Sequence, residues 1–205
     1  MLLRIRLSAS NWAGRIAISA ILAWMPLHSV ASTVPVVDSK LVTYGVSGQT
    51  IDQIQRSIAE HTPSRNGGSY YAGVTIWNLS ASYDLIPSPH GCLLDNGQVF
   101  LKIRIHLPVL ESIPKSPGVE QEWRRFYSAL NAHEALHAQN AYRAATTLLA
   151  KINGTRTDVP CSRAKVIAEK ATAALIERIS AYDKDLDIQT RHGTTQGAYL
   201  NPVVR

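Results

Sequence analysis

The chain of 205 residues is poor in cysteine and methionine, with two of each. Two cysteines are too few for a disulfide-dense small scaffold or a four-cysteine zinc module. Both methionines, Met1 and Met25, fall in the first 25 residues. Charged residues make up only 18% of the chain, against 45% hydrophobic. That balance excludes a disordered chain and supplies a core for one domain. No apolar run reaches about 18 residues without a break, so a conventional membrane span is not supported. Internal repeats and low-complexity stretches are lacking, as is any Lys/Arg stripe with interleaved aromatics. Nothing therefore implies a nucleic-acid partner.

Residues 1–31 read as a secretory signal peptide. Arg4, Arg6 and Arg15 form a basic start without acidic residues, and residues 16–24 (IAISAILAW) are a short apolar core. Pro26 breaks that core, and Ser29 and Ala31 place small residues three and one positions before a cut after Ala31. The segment holds three of the 21 basic residues, so residues 32–205 carry 18 basic against 15 acidic, a balance of +3. The basicity is largely the signal's. Export to the periplasm or medium is expected, and with it an oxidising setting in which Cys92 and Cys161 pair by default.

The expected organisation of residues 32–205 is a single α+β domain: a small antiparallel sheet followed by two long helices. Residues 40–46 suit a strand, and 50–60 a helix with Ile51, Ile54 and Ile58 on one face. Residues 70–84 have strand composition. Residues 92–94 and 98–107 flank Asp95-Asn96-Gly97, a hairpin signal. Ser116-Pro117 then starts a helix that runs to about Lys151 and stops at Asn153-Gly154. Trp123, Phe126, Leu130, Ala141, Ala144 and Leu148 form its apolar stripe. A second long helix spans about 162–183, and 185–205 read as a loop or extended end.

The chemistry lies in His133-Glu134-Ala135-Leu136-His137, an H-E-x-x-H pattern in the middle of the first long helix. Histidines at i and i+4 share one face, so both imidazoles can reach one ion. Glu134 lies about 100° round the helix; it suits a general base for a zinc-bound water better than a third ligand. His133 and His137 continue the apolar stripe and so face the interior, where unpartnered imidazoles are costly and Zn2+ satisfies them. Without a metal they would be hydrogen-bonded core histidines. A catalytic zinc needs a third protein ligand. The candidates are Glu169 and Glu177 on the second helix, Asp183, Asp187 and His192. Residues 32–205 hold no methionine, so a Met-turn, and with it a standard metzincin, is excluded.

The chain resembles bacterial secreted proteins described as predicted zinc-dependent proteases, the domain of unknown function 922. The residues that carry the resemblance are Tyr44-Gly45-Val46-Ser47-Gly48, the strand with Trp77, Cys92, Leu107-Pro108, and 123–137 through the motif. Later come Cys161, the tail Asp187-Ile188-Gln189-Thr190-Arg191-His192-Gly193, and Gly197-Ala198. The resemblance covers roughly residues 40–200 and implies a zincin-like fold and a zinc site. Its D-x-x-T-x-H-G tail favours His192 as third ligand. Gly193 permits a sharp turn beside that histidine, with Asp187 and Thr190 to orient it; Asp187, Asp183 and a helix glutamate stay open.

Other residues have weaker signals. His106 ends its strand, and a strand edge beside a zinc site binds extended peptides in other proteins. Tyr182 and Tyr199 can donate to an oxyanion, but such tyrosines more often pack. The expected function is a secreted, monomeric zinc metallopeptidase acting on peptide or protein substrates. The rivals are a non-catalytic exported zinc-binding or envelope-interaction protein, and a zinc amidase acting on cell-wall peptide.

Overall fold

The computed structural model describes residues 33–66 and 68–202, so the expected signal peptide and its expected cut lie outside the described residues. The chain runs β1 (Val36–Val46), α1 (Ile51–His61), β2 (Ser64–Asn66), β3 (Ser69–Tyr71), β4 (Val74–Ser88), β5 (Gly91–Leu110), α2 (Pro117–Ile152), β6 (Thr155–Thr157) and α3 (Cys161–Thr190). A 3-10 turn, Thr194–Gln196, follows. The class is α+β, as expected, but the sheet is mixed rather than antiparallel. Its order is β1-β5-β4, with β4 antiparallel and β1 parallel to the central β5; the short β6 also pairs with β5. The parallel pair needs a long return connection. The chain supplies one through α1, the β2–β3 hairpin and β4 before β5 comes back beside β1.

The hairpin expected at Asp95-Asn96-Gly97 does not form. The turn lies at Pro89-His90, between the paired residues Ser88 and Gly91, and β5 continues through the Asp-Asn-Gly segment. There Ser82 pairs with Gln98 and Asp84 with Asp95, so Asn96 and Gly97 together oppose Tyr83 in a β-bulge. Asn96 adopts a φ of 52°, the same left-handed tolerance that makes Asn-Gly a turn signal. The bulge is held from both sides. Asn96 donates to Asp84 at 2.9 Å, and the Gly97 N–H donates to Asn153 Oδ1 at 2.7 Å, just past α2.

Thr50 caps α1 in a capping box with Gln53, and Ile51, Ile54 and Ile58 bury its inner face. α2 spans 36 residues with proline in its first turn. Its buried stripe serves two cores. Val119, Trp123, Phe126 and Leu130 pack with the α1 isoleucines, Val46 and Leu107. Ala141, Ala145, Leu148 and Leu149 pack on Leu79, Val99, Leu101 and Ile103 of the sheet. The H-E-x-x-H turn falls between the two.

α3 runs seven residues past its expected end at Asp183, to Thr190. Along its 30 residues only Ala164, Ile179 and Thr190 are buried, so few apolar contacts hold it. Its first residue, Cys161, is bonded to Cys92 of β5 across 69 residues of chain. Among the described residues no helix is long and apolar enough to cross a membrane.

Closing a loop of that length is worth about 4 kcal/mol in the chain-entropy account. Replacing both cysteines by serine is expected to lower unfolding stability by about that amount in urea titration. An unchanged urea midpoint would show that the bridge does not stabilise the fold.

Candidate metal centre

α2 and α3 face each other in opposite chain directions, each offering polar residues one turn apart. His133 and His137 project from α2, Asp187 and Asp183 from α3. Asp187 Oδ1 lies 3.1 Å from Nε2 of His133 and 3.1 Å from Nε2 of His137. The ligand atoms of these three residues all lie within 4.8 Å of one another. With bonds of about 2.0–2.1 Å, tetrahedral zinc spaces its ligand atoms about 3.3 Å apart. The two nitrogens and the carboxylate oxygen therefore fit one such ion with little movement, and His/His/Asp is a donor set that zinc accepts.

The outer ring nitrogens are also fixed. His137 Nδ1 lies 3.1 Å from Asp183 Oδ1. Asp183 has two further donors, Asn140 Nδ2 at 2.9 Å and Trp77 Nε1 at 2.7 Å. A carboxylate only accepts, so His137 Nδ1 donates to Asp183, and in the metal-free protein Nε2 donates its own proton to Asp187; loss of that second proton frees the Nε2 lone pair for an ion. His133 Nδ1 lies 2.9 Å from Gln196 Oε1 and likewise donates. Such outer hydrogen bonds orient metal-ligating histidines. Gly193 allows the close approach: its φ is 77°, and a Cβ there would stand 2.9 Å from His133 Cγ.

The electrostatics favour a cation. Burial would lower the His137 pKa, but Asp183 and Asp187 outweigh burial and push it up to about 10. Burial likewise opposes a charge on His133, yet Asp187 and Gln196 raise it. Burial acts to raise Asp187, and the two imidazoles hold its carboxyl well below the usual range. In the metal-free protein the site is a patch of negative potential neutralised by histidine protons.

Glu134 is buried beside this cluster, its Oε2 2.8 Å from Thr75 Oγ1 of β4. Desolvation pushes its carboxyl up, opposed by the Thr75 hydrogen bond and the neighbouring histidines. A Cβ on Gly73 would approach Glu134 Oε1 to 2.6 Å, so the glycine keeps the space before that oxygen open. Gly73, Thr75, His133, Glu134, His137, Asp183 and Asp187 line one cleft of about 630 Å3. Its apolar end is made by Ile58, Phe126, Leu130 and Leu200.

The structure thus brings Asp187 to His133 and His137, one of the alternatives left open by the sequence. His192 lines the cleft outside that triad. Its Nδ1 is 3.5 Å from Asp187 Oδ1, and its ring lies on Tyr71 with centroids 4.0 Å apart. Asp183 holds His137 from behind. Glu169 and Glu177 are exposed and do not line the cleft. His106 is not at a strand end: it lies within β5, between Val42 and Val74. Tyr182 is 54% exposed and lines no part of the cleft, while Tyr199 lies at its rim under the Arg125 guanidinium. Sequence reasoning assigned no role to Thr75, Asn140, Gln196 or Trp77. The available signal was Asp183-x-x-x-Asp187, whose one-turn spacing becomes visible once the helix is carried past Asp183.

A mixed-sheet α+β protein with a His/His/Asp centre on two opposed helices is the class defined by the geometry. A family model described as "Bacterial protein of unknown function (DUF922)" matches residues 41–193, and the chain belongs to that family. No curated protein and no solved structure matches the chain.

In equilibrium dialysis against zinc, Asp187→Ala is expected to abolish stoichiometric binding and His192→Ala to retain it. Asp183→Asn should weaken binding about 10–100-fold, the usual cost of losing an outer partner. The opposite ranking of Asp187 and His192 would make His192 the ligand. Zinc must also displace the His137 proton, whose pKa is raised to about 10. Affinity should therefore rise with pH until that value is approached. A flat profile would show that zinc binding does not displace that proton.

Proposed function

We propose that the protein is a metallopeptidase that hydrolyses peptide bonds with a zinc ion held by His133, His137 and Asp187. One observation carries this reading: a buried carboxylate, Glu134, stands in the same cleft as three converging ligand atoms. A bound ion would supply Lewis-acid polarisation of a carbonyl and a water of lowered pKa. The other tasks fall to the chain's own residues. Glu134 takes a proton from the attacking water and returns it to the leaving nitrogen. Its raised pKa, from burial, brings it closer to the operating pH that a base of this kind needs. Thr75 fixes the carboxylate's orientation by its hydrogen bond to Oε2.

Substrate size also has support. The cleft is open along Gly73, Val74 and Thr75, where the edge strand β4 begins. An extended chain can add to such an edge. The apolar end formed by Ile58, Phe126, Leu130 and Leu200 suits an aliphatic or aromatic side chain next to the scissile bond. The family membership, the disulfide and the signal-like leader together favour action outside the cytoplasm of a bacterium.

Glu134→Gln is expected to keep the metal and lower peptide hydrolysis by about 10²–10⁴-fold, the usual contribution of general acid–base catalysis. The assay compares zinc-loaded parent and variant on unfolded protein and on purified peptidoglycan. Cleavage confined to peptidoglycan would make the enzyme a cell-wall amidase. Metal binding with no hydrolysis of either substrate by the parent would leave an exported zinc-binding protein.

A further inference from the structure

β1 is a free edge of the sheet: β5 is its one strand partner among the described residues. Its eleven residues pair with β5 without a register shift, so no bulge interrupts the outer edge. Val37, Ser39 and Leu41 pair with Leu101, Ile103 and Ile105 and therefore face the α2 side of the sheet. α2 packs over β5 and β4 rather than over this part of β1. Val37 is consequently 40% exposed and Leu41 50%. On the α2 side, a groove of about 370 Å3 is lined by Ile105, the partner of Leu41 on β5, and by Ala135, Ala138, Gln139, Tyr142 and Arg143 of α2. Val36, Asp38 and Lys40 occupy the opposite face, where Asp38 already meets Arg104 at 2.6 Å.

We propose that this edge binds a second copy of the same chain, β1 against β1, antiparallel about a two-fold axis at Ser39. In that register every pairing is complementary. Asp38 lies opposite Lys40 of the second copy and Lys40 opposite its Asp38. Val37 lies opposite Leu41, and Val36 opposite Val42. Opposite charges and apolar pairs directly across strands are both stabilising. A lone lysine on an edge strand repels a newcomer strand. An acid two residues before it, on the same face, turns that guard into self-recognition. A two-fold interface requires such self-complementarity. The two apolar pairs on the α2 side would also cover the Val37 and Leu41 side chains that the monomer leaves in water. The inference is independent of the metal centre.

The protein exported from its own leader is expected to sediment as a dimer. Lys40→Asp places acid against acid twice across the axis and should abolish the dimer. Asp38→Lys combined with Lys40→Asp restores both pairs and should restore it. Directly opposed residues of antiparallel strands stand about 4.5–5.5 Å apart at Cα, within reach of a disulfide. Both native cysteines are bonded to each other, so Ser39→Cys introduces the one free thiol. It should give a covalent dimer in air, while Ser80→Cys on β4 should not. Circular dichroism matching the parent's separates loss of pairing from loss of folding. A parent that sediments as a monomer with no Ser39→Cys cross-link overturns the proposal. So does a dimer that Lys40→Asp leaves intact, which would put the interface elsewhere.

Discussion

The structure depends on the meeting of two one-turn ladders, His133/His137 on α2 and Asp183/Asp187 on α3. α3 has few apolar side chains to hold it, with only three buried residues along its length. Its N-terminal end is tied by the Cys92–Cys161 bond, and its C-terminal end by carboxylates lodged against the two imidazoles. Groups this buried are costly unless paired. Here almost every polar atom has a partner: Asp183 has three, and each histidine has one on either ring nitrogen. The metal-free protein meets the requirement with shared protons. The cluster is therefore assembled without an ion.

Much of this was legible in the sequence, and what escaped has physical reasons. The motif helix was plain because its apolar stripe, its proline start and its Asn153-Gly154 end agree. The pair Cys92 and Cys161 followed from export chemistry. The parallel placement of β1 was not legible, since pairing across some sixty residues leaves no local trace in composition. The Asp-Asn-Gly segment misled because a left-handed Asn serves a bulge as well as a turn. The bulge is supported by Asn153, far away in sequence, which accepts the Gly97 N–H. The carboxylate that joins the two imidazoles was obscured by the end of α3. Residues 184–190 are mostly polar, and a polar helix end resembles a loop. Asp187 was thus detached from the helix that places it one turn beyond Asp183.

The two-core arrangement explains why the motif sits where it does. A helix of 36 residues with one continuous apolar stripe would bury imidazoles in hydrocarbon. Instead the stripe changes partners near residues 133–137, from the α1 core to the sheet core. The gap between the cores is where the carboxylates of α3 and the hydroxyl of Thr75 enter. Polar chemistry is admitted without opening either core to water.

The last ten described residues complete the site although they contribute little to the core. Gly193 lets the chain pass close over His133, and Gln196 reaches back to its Nδ1. The segment is also pinned from α2 by the pair Arg125 and Glu122. Arg125 is bound two-pronged to the buried Glu122, at 2.8 and 2.7 Å, and donates to the carbonyls of Gly197 and Tyr199. Glu122 accepts the Asn201 N–H at 2.7 Å. Arg125 holds Glu122 below its ordinary range, so its contribution is present above the usual glutamate pKa and lost as pH falls through the lowered value. The ends of the cleft therefore answer to different physics. The His133–His137–Asp187 end is set by helix pairing and burial. The Tyr199–Leu200 end is set by an ion pair two turns before His133, which fixes where the tail can lie.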